Sequence, residues 1–389
     1  MNSAWLALAG IFTFWAIAGI LIHKRGKWRG VSFEGTMLIW RTRFGLRLID
    51  RAGRTLRRFW LAFGTAATAL GFVFMTFVLV GLLLSAVLIF QYPTMPSGVK
   101  LIYPGITIPL IEGLVALFSV LIVHEFAHGF VMRAQGLRTK STGLLLWAVI
   151  PGAFVEQDEK QLKRAPLMKR LRVYGAGSFA NLVFAILCLG IILALISPKP
   201  GVYVYGIDVG GPADNKENLQ LGAQLIKMDN ITINTYDDYY DFVEKITPGE
   251  NIIIQTENGL TTITAAENYR DNIGIVPIAA TSRWEFANPL IVAVVAAEDL
   301  VGLRPIIHPY VYNSAIPWGG ITMLKWMFML NFGIGLVNLL PAVPLDGGYM
   351  LRGLLEKKMK KETAKRVSYA FALFILALIV ANFLPMVWR

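Results

Sequence analysis

Residues 106–131 read ITIPLIEGLVALFSVLIVHEFAHGFV, an apolar run interrupted by Glu112 and by His124-Glu125-Phe126-Ala127-His128. About 20 such residues cross a hydrocarbon core, so this stretch predicts a membrane-spanning helix. On a helix, positions i and i+4 share a face, so His124 and His128 can offer two imidazole nitrogens to one metal ion. Glu125, one residue after the first ligand, is placed to reach a water beside that ion. Ionisable groups at membrane depth are costly, which makes them functional residues by default. His124 lies about 18 residues into the run, roughly 27 Å along a helix.

Working outward, the composition agrees with a membrane chain. Of the 389 residues 55% are hydrophobic and only 16% charged, against about 25% charged in ordinary soluble domains. Mean hydropathy is +0.56. The single cysteine, Cys188, excludes an intrachain disulfide. The net charge of +12 is distributed as membrane orientation requires and does not form a nucleic-acid face. Eleven Lys/Arg stand between His23 and Phe59 against Glu34 and Asp50, whereas 200–280 carries four Lys/Arg against twelve Asp/Glu.

Further spans are expected at Ala4–Ile22, Phe59–Gln91, Val173–Ser197, Trp326–Leu345 and Val367–Trp388, about six in all. Phe59–Gln91 exceeds the required length, so tilt, a break or protrusion is expected. Ala4–Ile22 lacks a basic n-region and a following cleavage site, and reads as a retained span. With basic loops on the cytoplasmic side, both termini and the acidic segment 200–280 fall outside. The His motif then lies toward the cytoplasm. Leu290–Ala297 is too short to span and reads as an interfacial helix.

A third metal ligand should lie at similar depth on another span. Asn338-Leu-Leu-Pro341-Ala-Val-Pro344-Leu-Asp346-Gly347-Gly348 offers Asp346 beside two prolines that interrupt helical hydrogen bonding. Gly347 and Gly348 are expected to permit a tight turn that aims Asp346 sideways. Two histidines and a carboxylate leave an open position, the arrangement of catalytic zinc, with Glu125 as the group that moves protons.

These two motifs, with Gly177-Ser178-Phe179-Ala180-Asn181 between them, resemble the site-2 protease family of intramembrane zinc metalloproteases. The family element usually reads Gly-Pro, and Ser178 departs from it. The resemblance implies Zn²⁺ bound by His124, His128 and Asp346, with Glu125 catalytic. It further implies that Asn181 and Asn338 hold substrate backbone or stabilise the oxyanion. Thr142–Val155, with a turn at Pro151-Gly152, looks like the family's membrane-dipping β-hairpin, whose free strand edge could bind an unwound substrate.

Residues 200–280 change character. Alternation over Gly201–Val209, a turn at Gly210-Gly211-Pro212, a helix over Tyr236–Ile246 and a hairpin of Asn251–Thr256 and Leu260–Ala265 across Asn258-Gly259 resemble a small α/β PDZ domain. Gly222-Ala223 departs from the expected Gly-Asp. Such a domain binds extended peptides or excludes large ectodomains. His23 and His308 read as interface residues, and Glu112 carries no assigned chemistry.

The expected organisation is a polytopic α-helical membrane protein. It has a two-span N-terminal region (1–105), a catalytic core in two parts (106–199 and 321–389), an extracytoplasmic PDZ-like domain (200–280) and a membrane-surface linker (281–320). The expected partners are membrane proteins cut within their transmembrane segments, the bilayer, and a peptide on the PDZ-like domain. The rivals are a metal transporter using the same ligands, which has no use for the Gly-x-x-x-Asn element or the PDZ-like segment, and a non-catalytic peptide-binding scaffold, which has none for the zinc ligands and the base.

Overall fold

The computed structural model describes residues 30–34, 37–92, 102–147, 150–301 and 305–387. The expected span Ala4–Ile22 and His23 lie outside them. The chain divides into two compact units, one of residues 1–188 and 326–389, the other of 189–325.

The first unit opens with strands β1 (Val31–Glu34) and β2 (Met37–Thr42), then helix α1 (Leu46–Thr55). Helix α2, Arg57–Gln91, is one unbroken helix of 35 residues, about 52 Å long. Of the expected alternatives it excludes a break, and its length is left to tilt or protrusion. Helix α3 is Leu110–Ala134, entered after Pro109. It ends where Gly136 takes a φ of +77°, with Leu137 N–H on Met132 O and Gly136 N–H on Arg133 O. That pair of bonds is the Schellman stop, which needs a residue without a Cβ penalty at the left-handed position.

Strands β3 (Thr139–Trp147) and β4 (Ile150–Gln157) follow, then the short helix α4 (Glu159–Arg164) and helix α5 (Leu167–Leu195). The four strands form one antiparallel sheet in the order β1-β2-β3-β4. β2 takes the outer edge of β3, pairing Thr42 with Thr142 and Met37 with Trp147. Among the described residues, its edge strands are therefore β1 and β4, and β3 is covered on both sides. Helices in this unit approach closely at glycines: a Cβ on Gly175 would stand 2.8 Å from Ala67 O, and one on Gly64 would stand 3.0 Å from the Arg172 side chain. Without a hydrophobic drive between helices in lipid, such small-residue contacts supply the packing.

The second unit holds short strands β5 (Ile196–Pro198), β6 (Val202–Ile207), β7 (Gln224–Met228) and β8 (Ile231–Thr232), then helix α6 (Tyr236–Val243). Strands β9 (Asn251–Thr256), β10 (Gly259–Thr264) and β11 (Ile275–Ala279) complete its sheet, ordered β10-β9-β7-β6-β11 with β8 on β7. Alternating apolar residues close its core, among them Val202, Leu225, Ile252, Ile254 and Ile275, all fully buried. Thr235 caps α6 and Asp238 returns the bond, a reciprocal capping box. The hairpin turn is Glu257-Asn258, one residue earlier than expected, because Gly259 pairs with Thr256. Residues 281–320 contain helix α7 (Pro289–Val301) and strand β12 (Tyr312–Ser314), which pairs with β5. At 13 residues α7 is too short to span.

Helix α8 is Trp318–Val337, so the span expected at Trp326–Leu345 begins and ends eight residues earlier. The earlier end follows from the Pro341–Pro344 segment, which cannot continue the ladder. Helices α9 (Asp346–Lys358) and α10 (Lys361–Val387) end the chain. Among the described residues five helices are long and apolar enough to cross a membrane: α2, α3, α5, α8 and α10 up to Phe383.

Candidate metal centre

α3 carries His124 and His128 one turn apart, with their rings edge to face and centroids 4.7 Å apart. His128 Nδ1 stands 2.7 Å from Val173 O on α5. A carbonyl only accepts, so the ring proton sits on Nδ1 and the Nε2 lone pair faces inward. His128 Nε2 lies 3.1 Å from His124 Nε2. Asp346 reaches the same point from the first turn of α9, with Oδ2 3.5 Å from His124 Nε2 and Oδ1 3.5 Å from His128 Nε2. Among the described residues this is the grouping of His, Cys, Asp and Glu whose donor atoms converge, all within 4.8 Å.

The donor set fits zinc. Tetrahedral bonds of about 2.0–2.1 Å place neighbouring ligand atoms about 3.4 Å apart, close to the observed separations. Inward lone pairs and a carboxylate gathered in a nearly dry space also suit a cation between them.

Each ligand is held by a second residue. Ser178, fully buried on α5, donates from Oγ to Asp346 Oδ2 at 2.7 Å. Proline, the residue expected at that place in the family element, has no group to do this. Asn181, also fully buried, sets its amide 3.4 Å from His124 Nδ1. Its Nδ2 is the atom nearest that ring, and the His124 ring also bonds the Gly177 backbone. Gly177 lies against both rings: a Cβ there would be 2.4 Å from His128 Nε2 and 2.8 Å from His124 Nε2. The glycine keeps this space open.

The approach of Asp346 depends on the unwound segment, and here the expectation for Gly347 and Gly348 is corrected. Neither forms a turn of positive φ; both sit inside α9. Their role is close approach, since a Cβ on Gly347 would stand 2.0 Å from Leu339 O and one on Gly348 would stand 2.3 Å from the Ala342 carbonyl carbon. Gly347 N–H donates to Asn338 O at 2.9 Å, so Asn338 enters through its backbone. No side-chain hydrogen bond of Asn338 is present among the described residues.

Glu125 faces the β4 edge, where its Oε2 accepts from Val155 N–H at 2.8 Å. A cavity of about 560 Å³ adjoins the cluster, lined by His128 and Asp346 with Tyr174, Tyr349, Arg170 and Glu356. Glu356 accepts from Arg170 at 2.8 Å and from Arg352 at 3.2 Å. Away from this unit, His308 packs its ring on Tyr205 and Tyr310. Glu112 stands in the first turn of α3. Ser178 and Val173 had no assigned role in the sequence; small polar residues at i and i+3 inside an apolar run, as at Ser178 and Asn181, are the signal that would find the serine.

Residues 112–381 match the profile of peptidase family M50. An uncharacterized protein of Methanocaldococcus jannaschii is 27% identical over 364 residues, covering 92% of this chain and 88% of that one. A Fusobacterium nucleatum protein named as a candidate zinc metalloprotease is 24% identical over 307 residues, covering 69% and 90%. The membrane-bound transcription factor site-2 protease homolog of Arabidopsis thaliana is 26% identical over 163 residues, covering 40% and 31%. With its profile match, its apolar helices and its His/His/Asp cluster, this membrane protein belongs to peptidase family M50, the site-2 protease family.

Proposed function

We propose that this chain is an intramembrane zinc endopeptidase that hydrolyses peptide bonds within transmembrane segments of other membrane proteins. The observation that carries the reading is the convergence of His124 Nε2, His128 Nε2 and the Asp346 carboxylate, with Glu125 on the next position of the same helix. His124, His128 and Asp346 hold Zn²⁺, which supplies Lewis acidity and water activation when bound. Glu125 takes a proton from the attacking water and returns it to the leaving amine nitrogen. Ser178, Asn181 and Val173 O keep the three ligands oriented.

A helical substrate has its amides already paired, so it must be opened before cleavage. The outer edge of β4 supports that step, because an extended peptide added there is hydrogen-bonded beside Glu125. Asn181 binds the ligand ring in this reading, in place of the substrate contact implied by the resemblance, and Asn338 acts through its carbonyl.

The charge pattern supports a cytoplasmic active site with 200–280 outside. The strand and helix order of that segment supports a PDZ-like peptide-docking or gating role. The substrates are then membrane proteins with single spans, cut toward the cytoplasmic leaflet. Glu125→Gln is the test: purified protein should retain zinc and lose cleavage of a model transmembrane substrate. Undiminished cleavage would remove Glu125 from the mechanism, and metal flux through proteoliposomes would favour a transporter.

A further inference from the structure

On the same unit, away from the metal cluster, α1 builds a second site. Its sequence, LRLIDRAGRT, segregates arginines from Leu46 and Ile49, and the apolar face docks on α3. Ile49 is fully buried; a Cβ on Gly53 would stand 2.7 Å from Arg133 Cβ, and one on Gly129 would stand 3.0 Å from Ile49. The docking is backbone-close, so the polar face of α1 has a fixed position relative to α3. Beside it Leu48, Phe44 and Leu56 are exposed at 55%, 84% and 52%. Arginines with exposed large apolar groups describe a helix lying at a bilayer surface.

Between α1 and the end of α3 lies a cavity of about 470 Å³, lined by Arg54, Arg57, Arg133, Arg138 and Asp50. Arg133 pairs with Asp50, and Arg57 Nε donates to Ala134 O at 3.1 Å. That second bond ties the start of span α2 to the end of span α3, so the cavity sits at the depth where the apolar core meets the headgroups. Four guanidinium groups against one carboxylate leave a surplus of positive charge. Among the described residues, neither Arg54 nor Arg138 has an ion pair or side-chain hydrogen bond to offset it. Guanidinium forks match phosphate oxygens two at a time.

We propose that this cavity binds a phosphate group, that of an anionic phospholipid at the membrane surface. The site does not depend on proteolysis. Near a surface each arginine contributes about 1 kcal/mol toward an anionic lipid, so removing two should weaken binding about thirtyfold.

The test uses the full chain in detergent, with lipid binding followed by native mass spectrometry and thermal shift. Phosphatidylglycerol should bind and stabilise, and phosphatidylcholine should do neither. Arg54→Gln/Arg138→Gln should weaken phosphatidylglycerol binding about thirtyfold. Arg47→Gln/Arg51→Gln removes the same charge from the same helix outside the cavity, and should weaken it less than threefold. Equal losses in both pairs, or no preference of the parent protein for phosphatidylglycerol, would overturn the site. Inorganic phosphate without lipid forms a separate arm: binding at millimolar concentration that vanishes in Arg54→Gln/Arg138→Gln, with no lipid preference, would refute the lipid assignment in favour of a soluble phosphate.

Discussion

Replacing Gly177 by alanine tests the metal centre at its tightest point. The added methyl would stand 2.4 Å from His128 Nε2 and 2.8 Å from His124 Nε2, where real Cβ contacts do not fall below 3.0 Å. Relief requires the His128 ring to withdraw by at least about 0.6 Å. Zinc sites tolerate distance errors of about 0.2 Å, so the ring cannot withdraw and still ligate well. Overpacking of this kind costs about 1–3 kcal/mol, which corresponds to about 5- to 150-fold in zinc affinity if the loaded geometry carries the strain. Competition against a chromophoric chelator on purified protein measures the affinity, and circular dichroism checks that the helices persist. Gly190→Ala, on the same helix with nothing within 4 Å of its Cβ, is the control and should leave affinity unchanged. A folded Gly177→Ala protein with parental zinc affinity would refute the placement of the two imidazoles.

Other substitutions probe the supports of the site. Ser178→Ala removes a hydrogen bond to an ionised ligand and should lower zinc affinity 10- to 100-fold, read by the same titration. Gly347→Ala would drive a methyl into Leu339 O, so it should lose zinc and cleavage together, measured as metal content and turnover of a model substrate. Asp238 accepts from Asn234 N, Thr235 N and Thr235 Oγ, and these bonds hold its carboxyl below the usual value of 3.8. Its contribution is therefore present above that value and lost as pH falls through the lower folded one. Asp238→Ala should lower the melting temperature at pH 7, and the gap to the parent should close in strong acid; an unchanged gap would discount the carboxylate.

How far the chain could be read without coordinates follows from the range of each interaction. Hydropathy is a sum over neighbours, so α2, α3, α5 and α10 were legible as apolar runs. The His124–His128 spacing is a property of one helix turn. Asp346 was reachable because Pro341 and Pro344 break a helix wherever they stand, although the boundary of α8 at Val337 was not, since Leu339–Leu345 is apolar whether wound or unwound. β1, β2 and α1 are not legible in the sequence, because their arginines read as a basic loop; pairing with β3 and docking on Gly129 make them structured.

The sequence by itself determined that this is a membrane protein with two histidines one helix turn apart inside a span and an acid at a helix break. Those features are local, set by composition, periodicity and proline. Only the tertiary structure decided that Ser178 and Asn181 hold the ligands, that Gly177 and Gly347 are needed for closeness and not for turns, and that β4 presents Val155 to Glu125. All but the Gly347 contact join residues far apart in the chain, and a hydrogen bond or an excluded methyl has no counterpart in the order of residues until the chain is packed.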